Sequence, residues 1–198
     1  GEKAIVFEDK SANKSFQDPS IVQLKDGTLL VNSFKPHTVK KEPFNHWIEG
    51  TFVVRSLDNG YTWEKPVKVE LPIPNSKSPG TSDAILELSN GELLIPLYGY
   101  LQGRTTSAFV LKSVDKGKTW KNIRIIAFDS FENFGFDEPA ICSLSSEKIL
   151  CMMREDTRGY LYQSESLDNG ETWSQPKRTD IWGYPAHLLS LKDGRVLC

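Results

Sequence analysis

The sequence predicts an all-β protein, a β-propeller built of four-stranded antiparallel blades, on three observations. The octet Ser-x-Asp-x-Gly-x-Thr-Trp occurs three times, at 56–63, 113–120 and 166–173. Its aspartates, Asp58, Asp115 and Asp168, recur after 57 and then 53 positions, a period that suits a propeller blade, itself a small antiparallel sheet. A second element, apolar alternation running into a turn, precedes each octet. No window places apolar residues at i, i+3, i+4 and i+7, so no helix longer than two turns is expected.

Taken in order, residues 18–30 alternate into Asp26-Gly27 and resume, the strongest short hairpin signal a sequence carries. Residues 82–94 do the same through Asn90-Gly91, and 184–197 through Asp193-Gly194. Each blade therefore contributes two hairpins, the first turning at Asp-Gly or Asn-Gly and the second at the octet. Within the octet the Ser and Asp side chains accept backbone N–H groups, Gly supplies a positive φ, and Trp offers a rigid face to bury under the turn. Three identical aspartates are structural, since one active site does not need three copies. Between the hairpins of the first blade, 33–50 shows no periodicity. It carries Pro36, Pro43, His46 and Trp47 and reads as a long rim loop, an insertion or a functional segment. The chain ends a few residues into a fourth hairpin. About three and a third blades do not close a ring, so the expectation is a partial propeller over 1–198 with no second domain, or self-association through the unclosed edge.

The third first-hairpin, 136–154, is the most informative stretch. Its apolar runs flank Ser145-Ser146-Glu147-Lys148, which predicts a two-residue loop at Ser146 and Glu147. In that register Cys142 faces Cys151, Glu138 lies opposite Glu155, and Arg154 lies opposite Pro139. A carboxylate and a guanidinium then share the open end of one hairpin. The equivalent places in the first two blades hold Asp18 with Phe34 and Ser82 with Tyr98, so the pair occurs once. A stability device would recur in every blade; a site needs its charges once. The plain alternative is a surface ion pair closing a hairpin.

With 38% apolar and 25% charged residues among 198, the chain has an ordinary globular balance. Its 24 Lys and Arg against 26 Asp and Glu leave a charge of −2, without the basic footprint of a nucleic-acid binder. The longest apolar run stops at Pro96, which excludes a membrane-spanning helix, and the N-terminal Gly-Glu-Lys shows no secretory signal. Cys142, Cys151 and Cys198 are too few for a disulfide framework; Cys142 and Cys151 read as buried thiols, with a cross-strand bridge as the alternative. His37, His46 and His187 are isolated, and neither a metal nor a cofactor is expected.

These octets, with Glu138-Pro139 and then Arg154, resemble the sialidase (neuraminidase) superfamily and its bacterial BNR or Asp-box relatives. The resemblance implies a six-bladed propeller, a glycan or sugar ligand, and an exo-acting hydrolase of glycan termini, secreted or periplasmic by analogy. The alternative is a glycan-binding or scaffold propeller that has lost the chemistry. In that family the Glu polarises a tyrosine nucleophile and the Arg helps bind a carboxylate, which implies catalytic roles for Glu138 and Arg154. The family's Phe-Arg-Ile-Pro motif falls on Phe16-Gln17-Asp18-Pro19, where Gln17 replaces the arginine and removes a charge. The family's acid/base Asp falls near Lys40-Lys41-Glu42, where Glu42 and Glu49 are the only nearby carboxylates. Gln17, Asp18 and Asp83 become candidate sugar-binding groups. Trp182 and Tyr184 form either a sugar-stacking wall or aromatics buried between blades. The tyrosine nucleophile and further arginines would belong to later blades, so the 198-residue chain alone is expected to be inactive.

Overall fold

The computed structural model describes residues 4–8, 15–38, 46–74, 76–101 and 103–198. Fourteen strands make up the described residues, with no helix among them. Blade 1 is the meander β1 (Gln17–Gln23), β2 (Leu29–Thr38), β3 (His46–Ser56) and β4 (Val67–Lys68). Blade 2 is β5 (Leu86–Glu87), β6 (Leu93–Gly99), β7 (Ser107–Ser113) and β8 (Lys121–Ala127). Blade 3 is β9 (Phe136–Ser143), β10 (Ile149–Glu155), β11 (Tyr160–Ser166) and β12 (Lys177–Trp182). The hairpin β13 (Leu189–Ser190) and β14 (Val196–Leu197) begins a fourth. Each four-stranded sheet is antiparallel with its strands in chain order. The fold is that of β-propeller blades, and the sheets do not close into a ring.

The core lies between blades. Leu24, Leu30, Val53, Ile85, Leu97 and Phe109 pack blade 1 on blade 2, while Leu94, Val110, Phe136, Ile141 and Cys151 pack blade 2 on blade 3. Ala140, Cys142, Leu161 and Leu188 pack blade 3 on the fourth hairpin. Blade 2 is covered on both faces, so β7 is buried throughout, whereas the alternation of one-sided strands survives in β1. Trp120 lies in the first core and Trp173 packs against the second, beneath the glycines of their own octets; Trp63 is half-buried.

The octets behave as their composition requires. In the first, Ser56 Oγ donates to Asp58 Oδ1 and accepts from the Gly60 N–H, while the Thr62 N–H and hydroxyl donate to the two Asp58 oxygens at 2.8 and 2.6 Å. The same pattern recurs around Asp115 and Asp168. The residue before each glycine, Asn59, Lys116 or Asn169, adopts φ of 57–58°.

The third hairpin differs from its expected register. The Leu144 N–H donates to the Lys148 carbonyl at 2.8 Å, closing a three-residue loop, and Cys142 pairs with Leu150. The same spacing closes the Asp-Gly and Asn-Gly turns, Leu24 to Thr28, Leu88 to Glu92 and Leu191 to Arg195. These are the longer turns in which a left-handed glycine ends the loop, with Gly27 at φ 90°, rather than two-residue turns. One residue of slip moves side chains to the other face. Cys142 and Cys151 therefore lie in different cores and are free thiols. A bulge after Met152 then sets Arg154 opposite Asp137, not Pro139, and Glu155 opposite Phe136, not Glu138. The expected rim loop at 33–50 is also corrected. β2 continues to Thr38 and pairs with β3 as a long ribbon, and Pro36 is accommodated at a register shift after Lys35. Glu42 lies outside the described residues.

Candidate functional site

At the end of the blades opposite the octets, first-strand starts and second-strand ends converge. Gln17, Phe34, Tyr98, Thr106 and Asp137 line a cavity of about 410 Å³ with Pro36, Ile48 and Lys77. Phe34, Tyr98 and Arg154 hold the same place in three successive blades, so this rim draws on all of them. Gly80, bridged to Tyr98, makes room: a Cβ there would sit 2.7 Å from both Tyr98 Cζ and Ile48 Cδ1.

The charged part of the site belongs to blade 3. Arg154 Nε lies 3.3 Å from Glu138 Oε2, and Nη2 lies 3.4 Å from Asp137 Oδ2. The first contact lacks hydrogen-bond geometry, and Asp137 Oδ1, Glu138 Oε2 and Arg154 Nε are buried without hydrogen-bond partners. The guanidinium stacks on the Tyr184 ring, 4.4 Å from its centroid. Two carboxylates thus share one guanidinium that is also committed to an aromatic face. Glu138 adopts φ of 51°, and Asp18, at the matching place in blade 1 and likewise before proline, adopts 47°. Non-glycine residues rarely take this region, and such strain persists where the surroundings enforce it.

Burial pushes the Glu138 carboxyl up, against the Arg154 charge and with help from Asp137 and Asp18. Burial also pushes Asp137 up, against Thr106 and Arg154. Arg154 moves up as well, because Glu138 and Asp137 outweigh the burial that opposes its charge. Ion pairing alone would lower Glu138, so desolvation dominates at the carboxyl and Coulomb attraction at the guanidinium. Burial first, then the charges of Glu138, Asp137 and Asp18, push the Tyr98 phenol up, which keeps it protonated as a hydrogen-bond donor.

The structure brings Glu138, Arg154 and Tyr184 together and sets Gln17 on the cavity wall, with exposed Asp18 beside it. Trp182 and Tyr184, next to the incomplete fourth blade, are 72% and 52% exposed. Asp83 is not open to a sugar. Its side chain is 4% exposed, accepting the Ile141 N–H at 3.2 Å and meeting His187 Nδ1 at 2.8 Å, so it links blades 2 and 3 to the fourth hairpin. Glu49 pairs with Lys35 at 3.2 Å and is absent from the cavity wall. Asp137, Tyr98 and Thr106 escaped sequence reasoning. Asp137 occupies the place of Gln17, and Tyr98 that of Arg154, but only the convergence of their blades on one cavity marks them as site residues.

The sequence profile of the BNR repeat-like domain matches residues 1–198. No curated protein sequence matches. Among solved structures, a protein of unknown function from Dyadobacter fermentans DSM 18053 superposes with a TM-score of 0.83 at 26% identity, over 98% of this chain and 58% of that one. The Hadza microbial sialidase Hz136 superposes at 0.65 with 20% identity, over 81% of this chain and 33% of that one. The α-L-arabinanase of Penicillium chrysogenum, complexed with arabinobiose, gives 0.64 and 18%, over 84% and 50%. The chain thus spans a third to just over half the length of these relatives, and the two enzymes share its fold.

Proposed function

The chain belongs to the BNR repeat-like domain family, and on that footing we propose that it forms part of a sialidase-like glycoside hydrolase acting on glycan termini, 1–198 being a portion of the propeller. The observation that carries this reading is the Asp137, Glu138 and Arg154 cluster, present in one blade only and set beside a rim cavity. Burial favours the protonated form of both carboxyls, and a carboxylic acid beside a carboxylate is the equipment with which a leaving glycosidic oxygen is protonated and water or a nucleophile is activated. Glu138 and Asp137 compete for one guanidinium, so their first protonation belongs to the pair. Arg154 fixes the orientation of the sugar, and the Tyr98 phenol donates a hydrogen bond to it.

Gln17 favours a second reading, a glycan-binding propeller without turnover, because it stands where the resemblance implies an arginine. Calorimetric titration of the chain with N-acetylneuraminic acid and with arabinobiose tests the common premise. Binding of at least one that Arg154→Ala abolishes is expected, and unchanged binding in that variant refutes the site. A fluorogenic sialoside separates the readings only in a catalytically complete protein, where turnover supports the hydrolase and its absence the binding propeller; the 198-residue chain alone is expected to release no fluorophore under either, and turnover linear in its concentration would show a complete site.

A further inference from the structure

The blades meet the rim cavity with little positive charge to spare. Arg154 faces two carboxylates, Glu138 at 3.3 Å and Asp137 at 3.4 Å, and the exposed Asp18 starts blade 1 on the same rim. All three acids act on the Tyr98 phenol, which lines the cavity. Even with one proton shared between Glu138 and Asp137, the charge left on that pair cancels that of Arg154, and Asp18 adds a further carboxylate. Among the described residues, the cation on the cavity wall itself is Lys77, exposed and 4.7 Å from the centroid of the Tyr100 ring. Lys35 is directed to Glu49 and lies over the Phe16 ring. The places matching Arg154 in blades 1 and 2 hold the uncharged Phe34 and Tyr98. The site thus has one guanidinium at its centre, and its own acids already neutralise it.

The hydrogen-bonding capacity left over at the cluster points the same way. Asp137 Oδ1 and Glu138 Oε2 are buried acceptors without hydrogen-bond partners, and Arg154 Nε is a buried donor without one. An ionised carboxylate only accepts and a guanidinium only donates, whereas a hydroxyl does both. Sugar hydroxyls can therefore answer all three atoms. A ligand carboxylate could answer Nε alone, and it would set a third anion against Asp137 and Glu138, a juxtaposition that costs affinity. On the cavity wall Gln17, Ser78, Tyr98 and Thr106 supply an amide and three hydroxyls, neutral groups that suit further sugar hydroxyls.

We propose that the Glu138 and Arg154 site takes an uncharged sugar, and that Arg154 serves its own two carboxylates and a sugar hydroxyl rather than a ligand carboxylate. This rests on the reading of the rim as a glycan-terminus site and narrows the sugar that reading allows. In a catalytically complete hydrolase the preference moves turnover from a sialoside to an uncharged glycoside, so a fluorogenic arabinofuranoside belongs beside the sialoside there. The test titrates the chain by calorimetry at pH 7 with two pairs that differ in charge, and with arabinobiose. The pairs are the methyl glycosides of N-acetylneuraminic acid and of galacturonic acid, each against its carboxyl methyl ester. The tightest uncharged probe is expected to bind about tenfold more tightly than either acid. That gap should widen as salt is lowered, because repulsion between the acid and the rim is then less screened. Asp18→Asn keeps a residue that tolerates left-handed backbone, and it should raise the affinity of the acids and narrow the gap by about two- to threefold at low salt. An acid that binds as tightly as its ester, or as the best uncharged probe, overturns the uncharged class and leaves the glycan reading standing. A gap as wide in Asp18→Asn as in the wild type would trace it to shape rather than charge and overturn the proposal as well. If no probe binds, the glycan-terminus reading falls and the charge class with it.

Discussion

The same strands end in two different chemistries. At the octet end, three blades repeat one hydrogen-bond pattern in which the Ser, Asp and Thr side chains are all engaged within the turn. At the other end the blades diverge: Gln17, Thr81 and Asp137 hold one place, and Phe34, Tyr98 and Arg154 another. There Asp18 and Glu138 take left-handed backbone, as Asn59, Lys116 and Asn169 do in the octets, and buried polar atoms of Asp137, Glu138 and Arg154 lack hydrogen-bond partners. Repetition marks the groups that hold the fold, and its breakdown marks the groups left free to act. Buried polar atoms without partners occur in the octets too, at Trp63, Trp120 and Asn169; what sets the rim apart is that there they belong to charged groups.

The comparison breaks most visibly if acid groups at the two ends respond alike to substitution. Glu138→Gln keeps shape and hydrogen-bonding capacity but cannot transfer a proton; turnover in a catalytically complete protein should fall by about a hundredfold or more. A fall of less than threefold would remove Glu138 from the chemistry. Asp115→Ala deletes the acceptor of three hydrogen bonds from Ser113 and Thr119, each worth about 1 kcal/mol or less. The melting temperature should drop by roughly 4–8 °C, read by circular dichroism, with sugar affinity unchanged.

Acid titration separates the ends by sign. Thr62 and Thr172 hold Asp58 and Asp168 below the usual carboxylate range, and Asp115 is lowered too, its hydrogen bonds outweighing burial. That stabilisation is complete above the unfolded value near 4 and is lost as pH falls through the lower folded values. Glu138 and Asp137, raised by burial, act oppositely: the folded state carries their penalty above their folded pKa and sheds it as pH falls toward 4. Urea midpoints followed from pH 7 to 3 should therefore show Glu138→Gln removing a gain in stability on acidification above pH 4 and Asp115→Ala removing a loss below it. The smallest effect is a labelling difference. Cys198 is exposed, whereas Cys142 and Cys151 are buried on opposite faces, so a thiol reagent should modify one site quickly and the other two only on unfolding.

Most of the architecture was legible because the octets and the Gly turns report local chemistry, which a sequence records directly. Register was not. The Ser145-Ser146-Glu147 loop has no glycine to mark its length, and only its siblings, Lys25-Asp26-Gly27 and Ser89-Asn90-Gly91, give the three-residue spacing. Pro36 hid the extension of β2, since a bulge that admits proline leaves no periodic trace. The Glu138 and Arg154 pair was visible as a break in the repeat. Asp137 and Tyr98 were hidden because their importance arises from convergence of different blades on one cavity. Asp83 misled because an inner-strand carboxylate reads the same in sequence whether it faces a ligand or a neighbouring blade.

The central claim is that one end of these blades is built for stability and the other for a sugar. Arg154→Ala tests it most directly, with melting temperature and affinity for the bound sugar measured on the same preparation. The account predicts that binding is lost while the melting temperature stays within a few degrees of wild type. Retained binding, with a melting temperature lowered as far as in Asp115→Ala, would contradict it and make the rim cluster one more structural clamp.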